Sequence, residues 1–392
     1  MSYGGARIIL DADSHVMEPA TFMDDFLETA EVERFHRGFS FLKPRLDAGE
    51  IRAKERRASV TATVEAEQRL LLDKGWSAIG ANDPAERTRV LDLLGFKGQL
   101  VFPTYAGMFL LPLDAIFPDN AAVTRDPDRL YAWCRALNKA MVRFCSRDKR
   151  LLPIGVVSLS DPARAAEVAQ EAIRGGCAAL WIPSVSAGKL APTHPDVDVF
   201  WSVLERTNTP FVLHVGGSGS FGDRAFNNNN LPIGEGSGDG EKLSSKGFMA
   251  IYQSPAFFLS ALILDGLFDR FPKLRGGCIE QGAAWVVSWL HQLEYAHLKF
   301  RKQEPHLVKL QATPAEYVRR HLKFTPYPGE KVGWIMDQIG SELLLFSSDY
   351  PHPEGGTDPI RDFEATLSGA SAQDKQRFFA GNMAELLGRE LV

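Results

Sequence analysis

From residue 98 onward the chain repeats one pattern: a short unbroken apolar run, a polar residue at its end, then a longer amphipathic stretch. The runs are 98–103, 151–159, 177–182, 210–214, 274–279, 322–325 and 343–346, and Ile8–Leu10 stands ahead of them. Runs this short and this apolar read as strands buried on both faces, the appearance of parallel sheets in sequence. Helical spacing fills the intervals at 20–35, 84–94, 126–144, 161–174, 195–206, 254–271, 283–298, from 330, 359–367 and 372–387. Asp83-Pro84 and Asp161-Pro162 open two of these as a cap followed by proline in the first turn. About eight strands alternating with helices predict an α/β chain folded as a (β/α)8, TIM-like barrel rather than an open sheet. A single domain over 1–392 accommodates that plan with two additions. One is an insertion at about 36–84, where periodicity weakens. The other is a Gly-, Asn- and Ser-rich loop at about 216–247, with four consecutive asparagines from Asn227, too long for an ordinary connection and expected to act as a lid.

In such barrels the reactive groups come from the C-terminal ends of the strands. The first run passes straight into Asp11, Asp13, His15 and Glu18 before Pro19 stops it. Strand residues two apart share a face, so Asp11, Asp13 and His15 are expected to point the same way. The fifth run ends in His214, the sixth in Glu280 and Gln281, and the eighth in Asp349 with His352 three residues on. Any one of these has an ordinary explanation, such as a turn cap or a satisfied strand-end histidine. Imidazoles and carboxylates converging from separate strands on one mouth are what a divalent metal requires. His36, His194, His291, His297, His306 and His321 fall in helices or loops and are read as structural.

Composition narrows the rest. A formal net charge of −5 gives no nucleic-acid footprint, and no Lys/Arg cluster suggests one. The four cysteines (Cys134, Cys145, Cys177, Cys278) form no Cys-x-x-Cys pair and read as buried thiols in a reducing compartment. No apolar run reaches membrane-spanning length, and no secretory pattern opens the chain. The expectation is a cytoplasmic protein with no membrane partner.

At this point the chain resembles the amidohydrolase superfamily, in the branch that includes aminocarboxymuconate-semialdehyde decarboxylase and related aromatic-acid decarboxylases. The resemblance is carried by Asp11-Ala12-Asp13-Ser14-His15-Val16-Met17-Glu18-Pro19, Phe211-Val212-Leu213-His214 and Phe271-Pro272-Lys273-Leu274-Arg275. Ser347-Ser348-Asp349-Tyr350-Pro351-His352 and Gly381-Asn382-Met383-Ala384-Glu385-Leu386-Leu387-Gly388 complete it. It implies a metal held by Asp13, His15, His214 and Asp349, with Asp13 standing where the family commonly has a first histidine. Carboxylate for imidazole hardens the site and favours Mn²⁺ or Fe²⁺ over Zn²⁺. Decarboxylating relatives place a histidine on strand six, and here Cys278-Ile279-Glu280-Gln281-Gly282 offers none. Strand four ends Leu180-Trp181-Ile182-Pro183, without the lysine that bridges two metals in other relatives. A second ion, if present, would fall to Glu280, His352 or Glu18.

The reading is a metal-dependent hydrolase or carbon–carbon lyase acting on a small organic, aromatic or carboxylated molecule, with Asp349 carrying the proton and Glu280 assisting. Phe102, Tyr105, Trp181, Tyr327 and Tyr350 are the aromatic candidates for its mouth. The alternative is a carboxylate-rich dinuclear iron or manganese oxygenase on the same barrel. A homodimer is expected, with the apolar segment Phe248 to Phe268 as its candidate surface.

Overall fold

The computed structural model describes residues 2–38, 40–108, 126–185, 188–216, 224–231 and 245–389. Seven parallel strands lie side by side in chain order: β1 (Leu10–Val16), β2 (Gly98–Pro103), β3 (Leu151–Val156), β4 (Ala179–Trp181), β5 (Phe211–His214), β6 (Gly276–Ile279) and β7 (Leu322–Phe324). Every strand residue is buried, as unbroken apolar runs require.

The eighth run forms no continuous ladder. It bridges its neighbours through single contacts, Phe324 with Leu344 and Ser14 with Tyr350. Even so, it closes the ring. The Leu345 N–H donates to the Phe324 carbonyl at 2.9 Å on one side, and the Ala12 N–H donates to the Phe346 carbonyl at 3.0 Å on the other. The seam between β1 and this last segment is drawn tighter by side chains. Asp11 accepts from the Ser348 N–H (2.8 Å), the Ser348 hydroxyl (2.6 Å) and Gln99 Nε2 (2.7 Å).

Helices surround the sheet, and several begin where capping chemistry predicts. Asp83, Asp126 and Asp161 each accept backbone N–H groups of the turn they cap, with proline following at once. The 84–94, 127–145, 162–175 and 284–300 helices fall within a residue or two of their expected places. The first helix does not: it starts at Thr29 rather than Ala20, after a short 3-10 turn at Asp24–Phe26. The last, expected as one piece over 372–387, is interrupted by a π-helical stretch at Arg377–Gly381.

Within the weakly periodic 36–84 segment two helices form, Lys43–Ala58 and Val60–Gln68. Lys43–Ala58 is largely charged and Val60–Gln68 buries no residue, so neither shows a clear apolar stripe. The segment is pinned to the C-terminal end of the barrel. The Gly75 N–H donates to the Pro351 carbonyl at 2.9 Å, and Trp76 Nε1 donates to the Glu18 carbonyl at 3.1 Å. Most of the loop expected at 216–247 lies outside the described residues.

Candidate metal centre

The sequence places Asp13 and His15 on one strand, and the register explains how both reach the mouth while Asp11 does not. Pairing of β1 with β2 slips between Asp11 and Ser14. A bulge of this kind breaks the period-two rule that had put all three side chains on one face. Asp11 instead turns to the seam described above, where burial pushes its carboxyl up to about 7.

Across the barrel mouth, His15 Nε2 lies 3.3 Å from Asp13 Oδ1 and 3.6 Å from Asp349 Oδ1. His214 Nε2 lies 3.4 Å from Asp13 Oδ1 and 3.3 Å from Glu280 Oε2. Two groups of potential ligand atoms result, each within 4.8 Å: Asp13, His15, His214 and Glu280; and His15, Asp349 and His352. The expected set of Asp13, His15, His214 and Asp349 is thus joined through His15, with Glu280 added on one side and His352 on the other. His352, expected as a ligand of any second ion, is buried, its ring stacked on His15 at 4.1 Å.

Glu18 lies outside both groups. Its carboxylate accepts the backbone N–H groups of Thr104 (2.7 Å), Tyr105 (3.2 Å) and Ala106 (3.3 Å), anchoring the turn that follows β2. Burial, opposed by those N–H groups, raises it to about 7. Of the six histidines read as structural, His297 and His321 are buried against backbone carbonyls, and none of the six joins a ligand group among the described residues.

Backbone strain marks two of the site carboxylates. Only four non-glycine residues among those described have φ in the left-handed region: Asn208, Asn230, Glu280 (54°) and Asp349 (51°). Asparagine and aspartate enter this region more readily than glutamate, but any non-glycine residue held there costs about 1–3 kcal/mol. Both are clamped. The Glu280 N–H donates to Thr325 Oγ1 at 2.7 Å, and its carbonyl accepts from Tyr327 Oη at 3.2 Å. The Asp349 N–H donates to the Asp13 carbonyl at 2.9 Å.

The protonation pattern fits a cation. His214 Nδ1 faces the Val215 carbonyl at 2.9 Å. A carbonyl can only accept, so Nδ1 carries a proton. In the neutral ring Nε2 is then a lone pair facing two carboxylates, and something positive must sit between them, a proton or a metal ion. Asp13 Oδ2 and His15 Nε2 are buried without a hydrogen-bond partner. Burial raises the Asp13 carboxyl, and only positive charge between it and the two imidazoles brings it below the ordinary carboxylate range. Burial pushes His15 down as well, toward the neutral ligand form. Imidazole and carboxylate donors together suit Zn²⁺, Mn²⁺ or Fe²⁺.

An aromatic wall stands beside the cluster. Phe102 and Trp181 lie 4.4 and 5.1 Å from the His214 ring, centroid to centroid. Tyr327 borders Glu280, while Tyr105 stacks on Trp76 and Tyr350 turns away to the Ile79 carbonyl.

Comparison with known proteins agrees with this architecture. A family model described as amidohydrolase matches residues 82–389. An amidohydrolase from Mycobacterium avium subsp. paratuberculosis superposes with a TM-score of 0.72 at 18% identity, covering 98% of this chain and 100% of that one. The 5-carboxyvanillate decarboxylase of Novosphingobium aromaticivorans, solved with manganese and 4-hydroxy-3-methoxy-5-nitrobenzoic acid, gives 0.65 at 19% identity, covering 99% and 98%. The 2,6-dihydroxybenzoate decarboxylase of Rhizobium gives 0.60 at 16% identity, covering 99% of each chain. None of the three is an oxygenase, and that alternative has no support among them. With its family match spanning most of the chain, the protein belongs to the amidohydrolase family and is an enzyme whose clustered side chains can hold a divalent metal.

Proposed function

We propose that this enzyme is a metal-dependent lyase that removes a carboxylate from a small aromatic acid. The observation that carries the reading is the juxtaposition at one mouth of imidazole and carboxylate donors with the Phe102–Trp181 wall. Manganese in a decarboxylase of the same fold supports the choice of metal, and the aromatic acids named for two relatives support the substrate class. Asp13, His15, His214 and Asp349 would hold the ion. When bound, it would supply positive charge for the substrate's carboxylate.

The chain's own groups do the rest. Phe102 and Trp181 offer apolar faces against which a flat ring can lie. Decarboxylation breaks the carbon–carbon bond, leaves the electron pair on the ring carbon, releases CO₂ and needs one proton at that carbon. Asp349 carries that proton in this reading, and Glu280, across the cluster beside His214, assists. Hydrolysis is the second reading, favoured by one feature: a carboxylate, Glu280, stands where decarboxylating relatives resembled by this sequence carry a histidine, and it is suited to accept a proton from water.

The test is direct. Protein loaded with Mn²⁺ is incubated with a panel of hydroxylated and methoxylated benzoic acids, and CO₂ release is followed in D₂O with deuterium read at the vacated carbon. Release of CO₂ with one deuterium gained supports the lyase. Stoichiometric metal with no CO₂, alongside turnover of lactones or amides, replaces it with a hydrolase.

We also propose a homodimer in the cytoplasm. Four buried free thiols support a reducing compartment. The helix Gln253–Leu264 is apolar around its whole circumference, yet Phe257 is 79% exposed, with Phe248 and Met249 exposed nearby. Such a helix is ordinarily covered. Against the expectation that no apolar run reaches membrane-spanning length, Ser245–Leu264 is 20 residues long and apolar enough to cross a membrane, as the core helices of soluble proteins also can be.

A further inference from the structure

Thr104, the first residue after β2, was not singled out in the sequence, and a lone threonine carries no signal there. Its hydroxyl oxygen sits among four groups: the Val16 carbonyl at 2.9 Å, His352 Nε2 at 3.1 Å, His15 Nδ1 at 3.3 Å and Met17 Sδ at 3.7 Å. A hydroxyl has one proton to give and two lone pairs to receive. The Val16 carbonyl can only accept and is the nearest neighbour, so the proton goes there; the thioether is a weak and distant competitor. Both lone pairs then face ring nitrogens, and each of those must donate.

From this we infer that Thr104 is a positioning residue whose single oxygen sets the tautomers of His15 and His352 together. His15 carries its proton on Nδ1 and His352 on Nε2. The opposite nitrogens are left as lone pairs: His15 Nε2 toward Asp13 and Asp349, and His352 Nδ1 toward Asp349 Oδ1 at 3.7 Å. The two rings stack at 4.1 Å, which brings His15 Nδ1 and His352 Nε2 within 3.3 Å of the one oxygen. The geometry agrees on a second point. His15 Nε2 makes no hydrogen bond despite its carboxylate neighbours, as expected if it holds no proton. Thr104 is itself held by Glu18, which takes the N–H groups of 104, 105 and 106. Glu18 therefore serves the centre as an anchor two bonds removed rather than as a ligand.

The inference rests on the cluster being a metal centre, and the experiment separates the two. Two-bond nitrogen–proton correlation spectra of metal-free protein labelled with ¹⁵N-histidine report which ring nitrogen is protonated, with His15→Gln and His352→Gln variants giving the assignments. The expected wild-type pattern is Nδ1–H for His15 and Nε2–H for His352. Thr104→Val keeps the shape and removes the oxygen. Both tautomers should lose their fixed pattern, and Mn²⁺ affinity read by spin-resonance titration should weaken about 10- to 100-fold. Thr104→Ser should restore both. A wild-type spectrum with either tautomer reversed overturns the inference, as does a Thr104→Val protein with unchanged tautomers and unchanged affinity. If Thr104→Val does not fold, the wild-type spectrum and Thr104→Ser decide. Wild-type protein that shows the expected tautomers but takes up no Mn²⁺ refutes the metal reading and leaves the hydrogen-bond arrangement standing.

Discussion

Asp349 emerges from a buried run into a left-handed backbone clamped to Asp13, so its carboxylate has little freedom beside His15. Asparagine at this position keeps one oxygen and the shape but removes the charge and the capacity to carry a proton. Asp349→Asn should lower turnover about 10²-fold or more while metal content falls only in part. Steady-state rates paired with metal analysis check this. Near-normal activity with metal bound would move the proton to Glu280. At this scale the sequence was legible wherever an imidazole or carboxylate followed an unbroken apolar run, as at His214, Glu280 and Asp349. It misled where chain direction depends on something other than period. The bulge after Asp11 sent that carboxylate to the seam. Thr104 was invisible because its importance lies in what surrounds one oxygen.

Elements, not single groups, carry the site into position, and two buried polar residues show how. Arg87, on the helix Pro84–Leu94, is fully buried and donates to the carbonyls of His15 (3.1 Å) and Tyr350 (3.4 Å) and to Gln99 Oε1 (3.3 Å). It ties a helix to both strands of the seam. Arg87→Met should destabilise the fold by about 3 kcal/mol or more, because several buried acceptors lose a charged donor together. A shifted denaturant midpoint at unchanged slope would register it. Glu18 makes a pH-dependent contribution. Its folded value of about 7 lies above the ordinary 4.5, so the folded state keeps a proton that the unfolded chain has lost between those values. The stability it lends is full below pH 4.5 and is lost as pH rises toward 7. Thermal midpoints of metal-free protein should fall across that window, and Glu18→Gln should flatten the fall; equal slopes in both proteins would assign the dependence elsewhere. The strands and most helices could be read from apolar runs and Asp-Pro caps. The eighth strand could not be read as it stands, because single bridges replace a ladder, and helices 43–58 and 60–68 lack an apolar stripe, the first being largely charged and the second burying no residue.

For the whole molecule, the exposed apolar helix argues for a second copy. Phe257→Glu places a charge at its most exposed aromatic ring. Light scattering at micromolar concentration should show a dimer for the natural chain and a monomer for the variant, with little effect on monomer stability. A natural chain that is strictly monomeric refutes the assembly. The barrel itself was evident from alternation alone, since a parallel strand buried on both faces needs a crossover helix each time.

The seam has one more consequence. Asp11 and Ser348, which join across it, are 337 residues apart in sequence, and ligand atoms come from both of its sides. Contacts this distant form late, because so much chain must be ordered before they are rewarded. Asp13, His15, His214 and Glu280 need no residue beyond 280, but Asp349 and His352 join them only when the last segment closes the ring. An ion captured across the seam would act as a clasp, slowing reopening at the place where hydrogen bonds and an isolated bridge stand in for a continuous ladder.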